Sequence, residues 1–263
     1  MRPGLFDSHA HYNDPRFAEL EGGAPALIAS LLQGDVSGIL NAAVDAQTAE
    51  ECIALAERFD GVYAAAGVHP SECARLDAQM DAELERICAL LRHPKVRAIG
   101  EIGLDYHYDD SPRQIQQKWF EAQLDLAQQA GYPVIIHDRE AHGQVMDTLA
   151  AHPAVRGVMH SFSGSAEMAK ELLKRDFYVS FSGTVTFRNA KKLPEAVRAV
   201  PLERMLIETD CPYLAPVPMR GKCNHSGYLI YTAQFIAACK DVALEQVIAA
   251  SEKNARTLFG ISP

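Results

Sequence analysis

The sequence lacks any apolar run long enough to cross a membrane. Apolar stretches such as residues 62–68 and 134–136 fall far short of the roughly 18 residues that a membrane-spanning helix needs. The N-terminal residues MRPGLFDSHAH also lack an apolar signal core, and they reach polar, chemistry-bearing side chains within a dozen positions. We therefore expect no membrane association and a cytoplasmic location.

The sequence also lacks paired cysteines. Its six cysteines are scattered and none belongs to a CxxC pair. This spacing argues against a disulfide framework and against a zinc site built on thiolates. We interpret the cysteines as reduced thiols, in agreement with a reducing compartment. They are Cys52, Cys73, Cys88, Cys211, Cys223 and Cys239.

The sequence has fewer basic than acidic residues. The chain has 25 basic and 34 acidic residues, which gives a formal net charge of −9. That balance argues against a broad basic surface that grips nucleic acid through many phosphate contacts. A nucleic-acid substrate stays open, because bound divalent cations are often the largest local charges in a site and would attract a phosphodiester.

What the sequence does contain is an alternation of short apolar runs and segments with helical periodicity. Eight apolar runs are expected to be strands, at residues 5–6, 38–43, 62–68, 96–104, 134–136, 157–159, 178–181 and 205–207. Helices are expected between them, over residues 24–33, 48–59, 78–91, 112–130, 141–151, 166–175 and 193–200. Two more helices are expected after the last strand, over residues 228–239 and 244–258.

This alternation predicts a parallel sheet. Eight repeats within about 220 residues fit an α/β fold of the TIM, or (β/α)8, barrel type best. An open doubly wound sheet remains the alternative, although no GxGxxG turn follows the first strand. No low-complexity linker interrupts the chain, so residues 1–263 are expected to form a single domain with the two C-terminal helices packed on the barrel.

Nearly every expected strand ends in a group that can bind a metal ion or carry a proton. The carboxyl ends of barrel strands open onto one face, so these groups should converge in space. Two of them, in the HAH segment, are two residues apart and project to the same side of an extended strand. The residues that we expect to bind metal are His9, His11, Glu101, His137, His160 and Asp210.

Each of these residues, taken alone, has a structural alternative. The HAH pair could simply end a strand, Glu101 could form an ion pair, and Asp210 could be a turn residue before Pro212. His137 and His160 could be core histidines with satisfied hydrogen bonds. The prediction depends on their joint occurrence, since five strands that each present His, Glu or Asp at the same end are difficult to explain by core packing.

The motifs around these residues, in their order along essentially the whole chain, resemble the TatD family of metal-dependent hydrolases. They are FDSHAH, GVHP, AIGEIGLDYH, PVIIHDREAH, GVMHSFSGS, SFSGTVTF, IETDCPYLAP and RGKCN. The resemblance implies a barrel of the amidohydrolase-like superfamily that acts as a deoxyribonuclease or other phosphoesterase. It implies two divalent ions, the first held by His9, His11, Glu101 and Asp210, and the second held by Glu101, His137 and His160.

In the mechanism that follows from this resemblance, Glu101 bridges the two ions, which share and activate a water molecule. Asp210 is both a ligand and the acceptor of the water's proton, so Asp210 and Glu101 are the expected catalytic residues. The mixed histidine and carboxylate ligands suit Mg, Mn or Zn. The residues expected to hold phosphate oxygens of DNA or another phosphodiester are His69, Arg220, Lys222 and Asn224.

The substrate is not decided by the sequence, because the chain departs from the family pattern at one loop and two alternative functions are compatible with the same residues. The family often reads RGKRNEP where this chain has RGKCNHS, so Cys223 removes a positive charge from this loop. The same ions could instead polarise the carbonyl of a small-molecule ester, lactone or amide, or the chain could be a metal-dependent binding protein without catalysis. The sequence gives no sign of an obligate protein partner.

Overall fold

Eight parallel strands form one sheet in the part of the chain that this computed structural model describes, residues 4–108 and 110–262. Each strand pairs with the next one along the chain. Their order confirms the predicted α/β barrel. The strands are β1 (Leu5–Ala10), β2 (Val36–Ala42), β3 (Val62–Ala66), β4 (Val96–Asp105), β5 (Val134–Arg139), β6 (Gly157–Met159), β7 (Tyr178–Phe181) and β8 (Met205–Ile207).

Helices connect the strands, and local capping sets several of their ends. The second helix begins after Asp45, whose side chain accepts a hydrogen bond from the backbone N–H of Thr48 at 2.8 Å. The fifth ends at Gly131, where φ is 72° and glycine is favoured. The helices are α1 (Gly23–Gln33), α2 (Ala46–Glu57), α3 (Cys73–Leu76), α4 (Met80–Leu90), α5 (Arg113–Ala130), α6 (His142–Ala151), α7 (Ala166–Lys174), α8 (Leu193–Ala199), α9 (Leu229–Lys240) and α10 (Leu244–Leu258).

The barrel is closed where the segment after β8 meets β1. The backbone N–H of Asp210 donates to the carbonyl of His9 at 2.9 Å, and the N–H of His11 donates to the carbonyl of Cys211 at 2.8 Å. The hydroxyl of Ser8 donates to the carbonyl of Ile207 at 3.0 Å. These bonds bring the last strand against the first, so the open doubly wound alternative does not apply.

One apolar side chain from each strand fills the amino-terminal half of the barrel interior, and Phe259 and Ile261 cover this end from below. Because side chains alternate along a strand, this apolar plug fixes which later residues also face inward. Counting by twos from the plug leads to His137, His160 and Asp210. The plug residues are Phe6, Leu40, Ala65, Ala98, Ile135, Val158, Tyr178 and Leu206.

The first strand departs from this alternation just before the polar residues begin. Asp7 pairs with Ile39 and Ala10 pairs with Asn41, so β1 advances by three residues where β2 advances by two. One extra residue in a strand is a bulge, which changes the direction of the side chains that follow it. His9, three residues after the plug residue of β1, is thereby turned toward the interior.

A second bulge lies in β4. Ile99 pairs with Val134 and Ile102 pairs with Ile136, which again sets three steps against two. Glu101 lies within this bulge and three residues after the plug residue of its strand, and it too faces the interior. Glu101 therefore lies inside β4, in agreement with the expected strand at residues 96–104, and, unlike the other predicted ligands, not at the carboxyl end of its strand.

The C-terminal helices pack on the barrel wall beside β8 and β1. The side-chain amide of Asn254 in α10 donates to the carbonyls of Leu202 and Met205 at 2.7 and 2.9 Å. The hydroxyl of Ser251 accepts a hydrogen bond from the backbone N–H of Ile207 at 3.2 Å. These bonds hold α10 against β8, the strand that precedes Asp210. Within residues 4–108 and 110–262, no helix has both the length and the apolar character that a membrane crossing requires.

Candidate active site

Glu101 lies at the centre of a group of histidines at the carboxyl end of the barrel. Its Oε2 lies 3.2 Å from Nε2 of His9 and 3.6 Å from Nε2 of His11. Its Oε1 lies 2.5 Å from Nδ1 of His137 and 2.7 Å from Nε2 of His160. The two oxygens of one buried carboxylate therefore face two different pairs of histidines.

Asp210 adds a second carboxylate to the first pair. Its Oδ1 lies 3.2 Å from Nε2 of His11 and 3.7 Å from Nε2 of His9. The side chain is 17% exposed, compared with 4% for Glu101, so Asp210 is the more accessible of these two carboxylates. The structure thus brings together all six residues that the sequence predicts as metal ligands.

The spacing and chemistry of these atoms fit a divalent cation. Ligand atoms at 2.0–2.1 Å from a tetrahedrally coordinated ion lie roughly 3.3 Å from one another. The five distances that join atoms of His9, His11, Glu101 and Asp210 run from 3.0 to 3.7 Å. Imidazole and carboxylate are also the donors that such ions take in proteins.

In three of the histidines, the ring nitrogen that points away from Glu101 is bonded to a group that can only accept a hydrogen bond. Nε2–H of His137 donates to Oδ2 of Asp105 at 3.0 Å, and Nδ1–H of His160 donates to Oε1 of Glu208 at 3.2 Å. Nδ1–H of His11 donates to a backbone carbonyl of β2 at 3.0 Å. Because the acceptor holds a proton on that nitrogen, the other ring nitrogen faces Glu101 and can offer its lone pair to an ion once its own proton is released. These rings are oriented as metal ligands.

His69 differs from these three histidines, because the ring nitrogen that points away from Glu101 accepts a hydrogen bond instead of donating one. Its Nδ1 accepts a hydrogen bond from the backbone N–H of Ser71 at 3.2 Å, and a backbone amide can only donate. The proton of the neutral ring is therefore on Nε2, which lies 3.7 Å from Oε1 of Glu101 and 3.4 Å from Nδ1 of His137. His69, Glu101 and His137 are close enough to hold an ion. However, this tautomer makes His69 a hydrogen-bond donor rather than a ligand.

The charges of the cluster are strongly coupled. Burial by itself would raise the pKa of Glu101, but His160, His9 and the other nearby histidines outweigh it and hold that pKa well below its usual range. Burial opposes the charge of His137, but Glu101 and Asp105 outweigh it and raise the pKa of His137 to about 9. A divalent cation would compete with the protons on these rings, so we expect its binding to release protons.

Asp7 holds the closure of the barrel beneath this cluster. Its carboxylate accepts hydrogen bonds from the backbone N–H and the hydroxyl of Thr209 at 2.9 and 2.6 Å, and from the hydroxyl of Ser226 at 2.7 Å. Burial raises the pKa of Asp7 to about 7. Because Thr209 directly precedes Asp210, these bonds fix the turn that presents the Asp210 side chain.

The loop after β8 carries the residues that the sequence assigns to phosphate. Arg220 and Lys222 are exposed there, as is the Cys223 thiol. Asn224 is fully buried, and its amide donates to the carbonyls of Thr209 and Tyr213 at 2.9 and 2.6 Å. The structure does not place Asn224 where a substrate could contact it, because these bonds use its side chain to shape the loop.

Arginines stacked on aromatic rings surround the mouth of the site. Among the described residues, the four closest stacks have distances of 3.9 to 4.6 Å from the guanidinium carbon to the ring centre, and all four lie on segments at the carboxyl ends of strands. No pattern in the sequence indicated them, because each stack joins residues that are distant in sequence or lie on irregular loops. They are Arg16 on Tyr213, Arg113 on Tyr106, Arg139 on Tyr108 and Arg220 on Phe187.

Comparison with known proteins matches residues 6–260 to the family described as TatD related DNase. The chain belongs to the TatD family. The metal-dependent hydrolase YabD of Bacillus subtilis (strain 168) is 42% identical over 261 residues, which cover 98% of this chain and 100% of YabD. The metal-dependent hydrolase YcfH of Escherichia coli (strain K12) is 36% identical over 259 residues, which cover 98% of this chain and 96% of YcfH.

A solved structure of the TatD family has the same fold over its full length. The crystal structure of YjjV, a TatD homologue from Escherichia coli K12, matches this chain with a TM-score of 0.89 and 30% sequence identity, and the match covers 100% of both chains. The family resemblance stated from the motifs is therefore confirmed, and the protein is a metal-dependent hydrolase of the TatD family. The cluster around Glu101 is its candidate metal centre.

Proposed function

We propose that this TatD-family hydrolase cleaves phosphodiester bonds in DNA with two divalent ions. The observation that carries the proposal is that the two oxygens of Glu101 face separate sets of donors, at the mouth of a barrel ringed by arginines. His9 and His11 lie beside one oxygen, with Asp210 against His11, and His137 and His160 lie beside the other oxygen. Two ions held at such a site stabilise charge on a phosphoryl group and lower the pKa of water.

The chain itself supplies a proton acceptor and a hydrogen-bond donor. Burial raises the pKa of Asp210, but the hydrogen bond with His11 and the nearby histidines outweigh it and lower that pKa to about 2. Asp210 is therefore ionised at neutral pH and is the group that accepts the proton of the attacking water. His69 presents its Nε2–H toward the same space and donates to a non-bridging oxygen of the phosphate.

The arginines at the mouth favour a phosphodiester over an uncharged substrate. The chain has a formal net charge of −9, yet four exposed arginines are held around this one opening. Positive charge around a cleft attracts ligands of the opposite sign and speeds their association, and here Asp14 balances part of the charge of Arg16. Arg220 and Lys222, on the loop after β8, extend this positive rim and are proposed to contact phosphates beyond the scissile bond.

The direct test is hydrolysis by protein reconstituted with Mg²⁺, Mn²⁺ or Zn²⁺. Substrates are end-labelled single- and double-stranded DNA, beside a panel of small esters, lactones and amides. We expect cleavage of DNA that requires the ion and falls on the order of 100-fold or more in Glu101→Gln, which keeps the size of the side chain. Hydrolysis of a lactone or amide without cleavage of DNA would overturn the proposal.

The role of the mouth is tested by the salt dependence of DNA binding. Each arginine that contacts a phosphate contributes about one to the slope of log affinity against log salt concentration, so Arg16→Gln and Arg139→Gln should each lower that slope. Arg58→Gln is the matched control, because Arg58 is exposed beside Phe59 at the opposite end of the barrel. Equal slopes in all three variants would argue against phosphate contacts at the mouth.

The cytoplasm is the proposed location. All six cysteines lie in the described part of the chain and are free thiols, which is the usual state in a reducing compartment. Immunodetection in fractionated cells tests the location, and recovery of the protein in a secreted or envelope fraction would contradict it.

A further inference from the structure

Two tyrosines are conspicuously exposed on the face that carries the metal centre. Tyr213 is 47% exposed and Tyr108 is 51% exposed, although most other aromatic rings are buried or half-buried. Tyr213 follows β8 and Tyr108 follows β4. These strands are four apart around an eight-stranded barrel, so the two tyrosines lie on opposite sides of the opening.

Tyr213 is held rigidly despite its exposure. Its hydroxyl donates to Oδ2 of Asp14 at 2.9 Å, and the guanidinium of Arg16 covers one face of its ring at 3.9 Å. Arg16 is itself held by Asp14 through two hydrogen bonds of 3.1 Å. The backbone N–H of Tyr213 donates to the carbonyl of Asp210 at 3.0 Å, and its ring meets that of His11 edge-on at 6.4 Å. The ring is thus fixed directly beside the metal centre.

Tyr108 is tied to the opposite side of the same centre. Its backbone N–H donates to Oδ1 of Asp105 at 3.1 Å, and the other oxygen of Asp105 holds His137. The guanidinium of Arg139 lies 4.6 Å from the centre of its ring, and the ring of His107 meets it edge-on at 4.8 Å. Both exposed tyrosines therefore combine a fixed backbone, an arginine on the ring and a link to a predicted metal ligand.

We infer that Tyr213 and Tyr108 are two stacking subsites, one on each side of the scissile bond, that select a phosphodiester carrying a planar base on both sides. The inference rests on the proposed function, because it deepens the substrate of the same site. An exposed aromatic ring gives a base a flat apolar surface, and the arginine beside it is proposed to contact an adjoining phosphate. Every base has such a flat face, so the two subsites recognise the presence of a ring rather than a sequence.

The test compares short DNA substrates of equal length that lack one base. A tetrahydrofuran residue replaces the nucleoside on the 5′ side of the cleaved bond in one substrate and on the 3′ side in the other. A stacked base contributes about 1–3 kcal/mol, so wild-type kcat/KM should fall about 5- to 150-fold for each missing base. Tyr213→Ala should abolish the penalty for one of these substrates and Tyr108→Ala the penalty for the other.

Two variants separate stacking from a structural effect. Tyr213→Phe keeps the ring and should keep the penalty for both missing bases. Val217→Ala removes an exposed apolar side chain, 43% exposed on the same loop, without removing a ring, and it should also behave like the wild type. The inference is overturned if Tyr213→Ala and Tyr108→Ala lower kcat/KM for every substrate by the same factor, or leave both penalties unchanged.

A binding measurement distinguishes failure of this inference from failure of the proposed function. A dinucleotide that carries 2-aminopurine loses fluorescence when that base stacks on an aromatic ring. We expect quenching with Glu101→Gln protein, in which turnover is strongly slowed, and loss of the quenching when Tyr213→Ala or Tyr108→Ala is added, according to the position of the label. Quenching without any DNA cleavage by the wild type would support the stacking subsites and contradict the proposed nuclease activity. Cleavage of DNA without quenching would support the nuclease activity and contradict the stacking subsites.

Discussion

The carboxylates behind His137 and His160 differ in a way that predicts unequal effects of the same kind of substitution. Asp105 uses both oxygens: Oδ2 accepts Nε2–H of His137, and Oδ1 accepts two backbone N–H groups of the following loop at 2.9 and 3.1 Å. Among the described residues, hydrogen-bond donors face only one oxygen of Glu208: its Oε1 accepts both Nδ1–H of His160 and the backbone N–H of the next residue. An amide has one oxygen and one NH₂ group. It can therefore replace the carboxylate of Glu208, where one oxygen accepts both bonds, but not that of Asp105, where both oxygens accept.

Asp105→Asn should therefore weaken metal binding strongly. If the amide oxygen keeps the two backbone bonds, the NH₂ group faces Nε2 of His137 and favours the tautomer with its proton on Nδ1. That proton occupies the lone pair that faces Glu101. Loss of such a supporting bond typically lowers metal affinity about 10- to 100-fold, which corresponds to about 1.4–2.8 kcal/mol. Glu208→Gln keeps an oxygen toward both of its donors and should lose much less.

Isothermal titration calorimetry of metal-free protein measures both effects, with chelator competition where binding is tight. The same variants should differ in kcat with any substrate that the wild type hydrolyses, in the same order. Wild-type affinity in Asp105→Asn, or a larger loss in Glu208→Gln than in Asp105→Asn, would refute the tautomer argument. Circular dichroism and urea unfolding of each variant check that the barrel remains folded.

Stability and titration measurements test three other features. Asp7→Ala leaves the buried N–H of Thr209 without its acceptor and should lower the free energy of unfolding by about 1–3 kcal/mol for that group alone. Asp7→Asn should lose less, and equal urea midpoints would contradict this reasoning. Chelation should lower Tm, because an ion that binds only the folded state contributes about 2.7 kcal/mol at 100 times its Kd; an unchanged Tm would speak against a bound ion. The hydrogen bond with Asp138 raises the pKa of His142 above 6.5, so this bond stabilises the fold below pH 6.5 and its contribution is lost as pH rises through the folded-state pKa. NMR titration should show a lower pKa for His142 in Asp138→Asn, and an unchanged value would exclude that carboxylate as the cause.

Much of the architecture could be predicted because it follows from local patterns. The apolar runs at residues 157–159, 178–181 and 205–207 correspond to β6, β7 and β8, and the periodic segment 244–258 corresponds to α10. The strand limits were less certain where polar residues continue a strand. Both β1 and β5 extend past their apolar runs, so that His9 and His137 lie inside strands.

Residues that act through other residues were harder to find. Asp105 and Glu208 lie near strand ends like the predicted ligands, but only the tertiary structure shows that each accepts a hydrogen bond from a predicted histidine ligand. Asn224 belongs to a motif that the family resemblance assigns to phosphate binding. In the structure its side chain is buried and donates to a backbone carbonyl. The stack of Arg16 on Tyr213 joins two ends of the chain, and no local pattern contains that pairing.

The sequence by itself predicted the barrel and named the side chains that are proposed to bind metal, because strand and helix periodicities and the order of polar residues at strand ends are local properties. The tertiary structure decided which way those side chains point. Simple alternation from the apolar plug would turn His9 and Glu101 out of the barrel, and one extra residue in β1 and one in β4 turn them inward. A bulge is defined by the pairing of two strands, so it depends on contacts that a single strand's sequence does not contain.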